Sequence, residues 1–153
     1  MVTVLLILHA LLAIALIGAV THQAVSTFRK PAAPQNFVSR YANVAGASYT
    51  NAIIVMFIIT AILGDLVYPQ YRLDIRTALE DLNMRAANGV FEMKEHFAAI
   101  GLFMLPAYWL YWRTPLKPEY AGARRWLTTI LAGVVWWNLI IGHVLNNIKG
   151  FGQ

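Results

Sequence analysis

The chain has 153 residues, 59% hydrophobic and 12% charged, with a mean hydropathy of +0.56. Soluble domains carry about 25% charge, so this composition excludes a disordered segment, a nucleic-acid module and an ordinary soluble enzyme domain. It predicts one membrane domain over 1–153. The absence of cysteine excludes disulfides, thiolate metal sites and c-type haem attachment, and the net charge of +5 reports on topology.

Four apolar runs predict helices over 2–21, 47–68, 90–112 and 126–147. Each is close to the ~20 residues that cross a hydrocarbon core, and none shows period-2 alternation. The first lacks a basic leader, so it reads as a mature transmembrane helix. A polar loop with Arg29, Lys30, Pro31, Pro34 and Arg40 follows.

Between the second and third runs, Ile75, Ala78, Leu79 and Leu82 recur at helical spacing among Asp74, Arg76, Glu80 and Asp81. That predicts an amphipathic surface helix over 74–86; a solvated linker with chance periodicity is the competing reading. In the third run Pro106 predicts a kink. Tyr108, Trp109, Tyr111 and Trp112 read as an aromatic belt, joined by Trp126. Arg113–Arg125 is a short basic loop, and Asn146, Asn147 and Lys149 close the fourth helix at the interface. The expected fold is an all-α integral membrane protein, a four-helix up-down-up-down bundle with a short surface helix.

Arg29, Lys30, Arg40, Arg113, Lys117, Arg124 and Arg125 fall on one side, and Arg72, Arg76, Arg85, Lys94 and Lys149 on the other. Every acid except Glu119 is on the second side. The basic side is expected in the cytoplasm of a bacterial inner membrane, with both termini on the non-cytoplasmic face.

Ionisable residues inside a bilayer are costly and usually face the bundle interior. His9 and His96 lie near the starts of the first and third helices, Asp65 and His143 near the ends of the second and fourth. At about 1.5 Å per residue, all four sit about 5–10 Å below one face. Glu92 shares a helix face with His96, whereas Glu95 points elsewhere. Taken singly, each histidine also reads as a snorkelling or capping group. His22 is turned about 220° from His9 and reads as interfacial.

Three chemistries suit such a layer. The first is haem b, with His9 and His96 facing each other across the core, His143 as a further candidate, and Phe103 and Trp136 lining the porphyrin. The second is copper, zinc or non-haem iron on His9, His96 and His143 with Asp65 or Glu92. The third is a proton or quinone relay through Asp65 and Glu92. A Ser-His-Asp set, an HExxH motif and a phosphate-binding glycine loop are all missing.

The opening Leu8-His9-Ala10…Gly18 and the segment Lys94-Glu95-His96 resemble the first and third helices of small four-helix haem-binding membrane proteins. These are the HemJ-type protoporphyrinogen oxidases and the b561-like cytochromes. The tryptophan and Pro-Arg that follow the first HemJ helix are absent, and the two-haem histidine spacing is not reproduced. The resemblance implies a four-helix haem-b protein, without a substrate.

The expected function is therefore a membrane b-type cytochrome, an electron-transfer protein or subunit of a respiratory or photosynthetic complex. A cofactor-free accessory subunit and a non-haem metal protein are the alternatives. Expected partners are the lipid bilayer, other membrane subunits or a second copy, and a quinone; nucleic acid is not among them.

Overall fold

A computed structural model describes residues 2–29, 36, 37, 40, 45–113 and 115–150. Lys30, Pro31 and Pro34 and the side chains of Asn146, Asn147 and Lys149 lie outside the described residues. Helix α1 is Val2–Ser26. A 3-10 turn, Gly46–Tyr49, leads into α2, Thr50–Gln70. A wide π-type turn, Tyr71–Ile75, carries the chain into α3, Arg76–Asp81. Helix α4 is Arg85–Trp112, a second 3-10 turn is Pro118–Tyr120, and α5 is Ala121–Gly150. The described residues contain no strand.

The first helix continues to Ser26 rather than stopping at 21 and the last starts at Ala121 rather than 126, but the main departure from the sequence expectation is around the surface segment. The second helix does not stop before the surface segment but runs into it. Pro69 has no N–H to give and its ring crowds the carbonyl of Asp65, and the ladder widens into the π-type turn directly afterwards. Reversal comes at Asn83, whose φ is 56°. There Met84 N–H donates to the Leu79 carbonyl at 2.8 Å and Asn83 N–H to the Glu80 carbonyl at 2.9 Å. Asparagine tolerates this left-handed cap. Helix α4 therefore begins at Arg85, ahead of the apolar run.

The long helices form a square in which α1 and α4 each lie beside α2 and α5 and are diagonal to each other. Neighbours run antiparallel. Along α1 and α2, His9 meets Thr60 and Gln23 meets Thr50. Along α4 and α5, Phe97 meets Trp137 and Trp112 meets Thr128.

The tight core occupies one half of the square, around Leu16, Val20, Ile53, Phe57, Leu105 and Leu131. Gly101 sits at its edge, where an added Cβ would lie 2.5 Å from Phe57 Cζ. Only a residue without a side chain lets α2 and α4 approach this closely.

Two of the expected belt aromatics belong to this core. Tyr108 and Trp112 are 0% and 5% exposed. The Tyr108 hydroxyl donates to Gln23 Oε1. The Gln23 amide N–H groups reach the Gly46 carbonyl at 2.9 Å and Thr50 Oγ1 at 3.3 Å. Trp112 Nε1–H donates to Thr128 Oγ1 at 2.8 Å. Trp109, by contrast, is 46% exposed.

Three helical segments are long and apolar enough to cross a membrane: Val2–Ser26, Gly46–Asp81 and Pro118–Leu145. Only 17%, 11% and 28% of their most apolar windows are buried within the chain. Most of their apolar surface therefore faces outward. Helix α4 is not among the three; it carries Arg85, Glu92, Lys94 and Glu95, and His96 and Pro106 lie in its apolar part.

Tyr108→Phe leaves the buried Gln23 oxygen without its donor. It should lower stability by about 1 kcal/mol. Thermal unfolding of Tyr108→Phe, Gln23→Leu and the double variant should show non-additive losses; strict additivity would contradict the coupling.

Candidate functional site

Helical phase decides which ionisable residues point inward. In α1 the buried line Leu16, Val20, Gln23 extends back by seven residues from Leu16 to His9. In α4 the buried line Gly101, Leu105, Tyr108, Trp112 extends back by seven from Gly101 to Lys94, with Glu95 beside it. The interior of this end of the square thus receives His9, Lys94 and Glu95.

His9 Nδ1 lies 3.0 Å from the Thr60 carbonyl oxygen. A carbonyl only accepts, so Nδ1 carries the proton and Nε2 of the neutral ring keeps its lone pair. Lys94 Nζ and Glu95 Oε1 are 2.7 Å apart, with side chains 15% and 33% exposed. Both act electrostatically on the His9 ring. Two glycines face this cluster. A Cβ on Gly64 would lie 3.3 Å from His9 Cε1, and one on Gly142 would lie 3.7 Å from Lys94 Cε.

Two buried polar atoms nearby have no hydrogen-bond partner, Thr60 Oγ1 and Trp137 Nε1. Thr60 is the residue whose carbonyl holds His9, and the Trp137 ring packs 5.7 Å from that of Phe97, two residues after Glu95. A buried donor left unpaired costs about 1–3 kcal/mol. A polar guest or an ordered water would satisfy both atoms.

The surface segment fixes the phase of α4. Arg76 pairs with Glu80 at 2.7 Å and with Glu92 at 3.4 Å. The Tyr71 hydroxyl donates to Asn88 Oδ1 at 3.0 Å, and the Tyr71 and Phe91 rings stack at 3.5 Å. Lys94 Nζ lies 4.8 Å over the same Phe91 ring. Anchoring Asn88 and Phe91 to the segment after α2 turns Lys94 inward.

The other residues singled out from sequence are placed differently. His96 is exposed, and its Nδ1–H donates to the Glu92 carbonyl at 2.7 Å. Glu92 is exposed and paired with Arg76. Asp65 and His143 are exposed, each one residue past an inward glycine. Phe103 is 86% exposed. Trp136 is 44% exposed, and its Nε1–H reaches Thr21 Oγ1 at 2.9 Å.

His9 and His96 therefore do not face each other across the core. Among the described residues, no three His, Asp or Glu side chains come together as a metal-binding group, so His9, His96 and His143 do not converge. Lys94 and Glu95 are the inward pair that depth alone missed; the signal was their register with Gly101 and Tyr108. His22 packs its ring 5.1 Å from Tyr49, in the other half of the square. A groove of about 370 Å³ between α2 and α4, lined by Asn51, Ile54, Val55, Leu105, Pro106 and Trp109, holds none of the ionisable residues.

No family model, curated protein or solved structure matches this chain.

Gly64→Val should push the imidazole off the Thr60 carbonyl while the helices remain. Nitrogen NMR of His9 should report the Nδ1-protonated tautomer in the parent and a mixture in the variant. An unchanged His9 signal would refute the close contact.

Proposed function

We propose that this chain is an integral membrane protein crossing the bilayer four times, with α4 as the fourth span, and that it is a small b-type cytochrome. In this reading it transfers electrons within a larger membrane redox complex. The Gly46–Asp81 run is 36 residues. That is about 54 Å of helix, against a hydrocarbon core of about 30 Å. The part carrying Arg76 and Glu80 then lies among the headgroups. Helix α4 enters the bilayer because its charged pair, Lys94 and Glu95, is turned into the bundle.

The observation that carries the redox reading is the His9 imidazole. It lies on the inner line of α1 with Nδ1–H held by a main-chain carbonyl and a lone pair on Nε2. Metal-ligating histidines are oriented in this way. What supports a haem here is the chemistry of the donors: His9 Nε2 would hold the iron, the Lys94 ammonium, paired with Glu95, would be shared with a propionate, and the unpaired Trp137 Nε1–H lies on the neighbouring helix. His96 has the same tautomer but opens on the outer face of α4, so a pair closed across the core is not part of this proposal.

Bound haem supplies one-electron transfer. The chain's part is to orient the imidazole through Thr60, to supply a counter-charge through Lys94, and to exclude water with Phe97 and Trp137. Expected partners are lipid, further membrane subunits or a second copy, and a quinone. The basic side is assigned to the cytoplasm of a bacterial inner membrane.

An absorption spectrum of the purified protein, oxidised and then reduced, tests this. A Soret band and a sharpened visible band on reduction are expected, lost in His9→Ala and kept in His143→Ala. Colourless protein after haem-sufficient expression would sink the cytochrome reading and leave the accessory-subunit role.

A second reading rests on the Lys94–Glu95 pair at 2.7 Å beside His9. Such a cluster suits proton handling, through Glu95 rather than the outward Asp65 and Glu92. Proton uptake on reduction, followed with a pH dye in weakly buffered detergent solution, should be lost in Glu95→Gln and kept in Asp65→Asn. Uptake that survives Glu95→Gln would remove this role.

A further inference from the structure

The charges of the chain are sorted by end. Every ion pair among the described residues lies at the end that carries His9: Arg76 with Glu80 and Glu92, and Lys94 with Glu95. At the opposite end three exposed cations lie over aromatic rings and in none of the described ion pairs, whereas Lys94, over Phe91 at the His9 end, is also ion-paired. The Arg113 guanidinium lies 5.8 Å from the Trp109 ring, Lys117 Nζ 5.6 Å from Tyr120, and the Arg125 guanidinium 4.9 Å from Phe28. Arg125 Nε–H also reaches the Thr27 carbonyl at 3.3 Å, which ties the start of α5 to the end of α1. Arg124 is turned inward, with Nη1–H on the Lys117 carbonyl at 2.8 Å, and is not part of the surface. Glu119, the acid in this turn, is in none of the described ion pairs.

The geometry points to a binding surface for anionic phospholipid headgroups, formed by Arg113, Lys117 and Arg125. A cation held over a ring is fixed in position, and its remaining N–H groups stay open to a phosphate oxygen. Arginine in particular presents a fork that matches phosphate. The same end carries exposed aromatics, Trp126 at 67% and Trp109 at 46%. A ligand that meets cations and rings together must itself be charged at one end and apolar at the other. A phospholipid is, whereas inorganic phosphate leaves the rings bare. Aromatic rings and basic side chains gather at this depth of a bilayer for that reason.

The inference rests on the membrane-spanning part of the proposed function and not on haem. The experiment uses the full chain reconstituted in phosphatidylcholine with a fraction of phosphatidylglycerol, then extracted and weighed by native mass spectrometry. Phosphatidylglycerol should be retained in preference to phosphatidylcholine. Retention should fall about fivefold for each cation removed in Arg113→Gln, Lys117→Gln and Arg125→Gln. It should weaken at high salt. Arg85→Gln, at the other end, should change nothing. The exposed Lys117→Gln alone decides the matter if the triple variant fails to fold.

Equal retention of the two lipids, a variant series identical to the parent, or displacement by inorganic phosphate would overturn the proposal. Release of the chain from vesicles by alkaline carbonate would overturn the spanning reading and this proposal with it. Retention in vesicles without lipid preference would overturn this proposal alone.

Discussion

The arrangement of the helices depends on how Gln23 is satisfied. Its side chain is fully buried, and an amide buried without partners costs several kcal/mol in an apolar medium. Its nitrogen serves the Gly46 carbonyl and Thr50, and its oxygen takes the Tyr108 hydroxyl. One side chain on α1 therefore holds the turn before α2, α2 itself and the diagonal helix α4. Hydrophobic contact alone is indifferent to rotation about a helix axis. Directional bonds at Gln23 and Tyr108 are not, and they set the phase of α1 and α4.

That phase propagates. Fourteen residues separate Gln23 from His9, Thr50 from Gly64, Tyr108 from Lys94, and Thr128 from Gly142. Fourteen residues are two heptads, about 21 Å of helix and nearly a whole number of turns. Each long helix thus carries a residue of the buried polar layer and, two heptads away, a residue of the ionisable layer. In the first layer the four side chains are fully bonded. In the second, two positions are glycine, and the space they leave is shared by His9, Lys94 and Glu95. The tight half supplies the stability, and the looser half keeps the unpaired Thr60 and Trp137 atoms that a guest would engage.

The apolar runs and the depth of the ionisable layer were legible in the sequence, because both follow from counting residues along a helix. Rotation about the axis was not, because it requires knowing one buried face. His96 and Lys94 lie two residues apart at the same depth, yet about 200° apart in phase; only the register with Gly101 and Tyr108 separates them. Belt and core aromatics were confused for the same reason. Tyr108 and Trp112 lie on the buried line, while Trp109 lies off it. The early start of α4 was hidden because Arg85–Gly89, with Arg85, Asn88 and Gly89, does not read as part of the apolar run that begins at 90. It is helical because Arg76, Tyr71 and Asn83 tie it to the preceding segment.

The described ion pairs all lie at one end of the molecule, and this bears on how the interior cluster is reached. At the ring-bound end the buried polar groups are closed off by Gln23, Tyr108 and the Trp112–Thr128 bond. Among the described residues, no ion pair links the Arg113–Arg125 turn to the opposite half. At the ion-paired end the exposed Arg76–Glu92 pair is followed, within one turn of α4, by the Lys94–Glu95 pair on the side of His9. In the proposed reading, charge would enter the site from the ion-paired side. For a proton or electron carrier this is the useful asymmetry. Access from both sides would let the two aqueous phases communicate, whereas a single ionisable path set against a sealed polar layer confines exchange to the face that carries the acids.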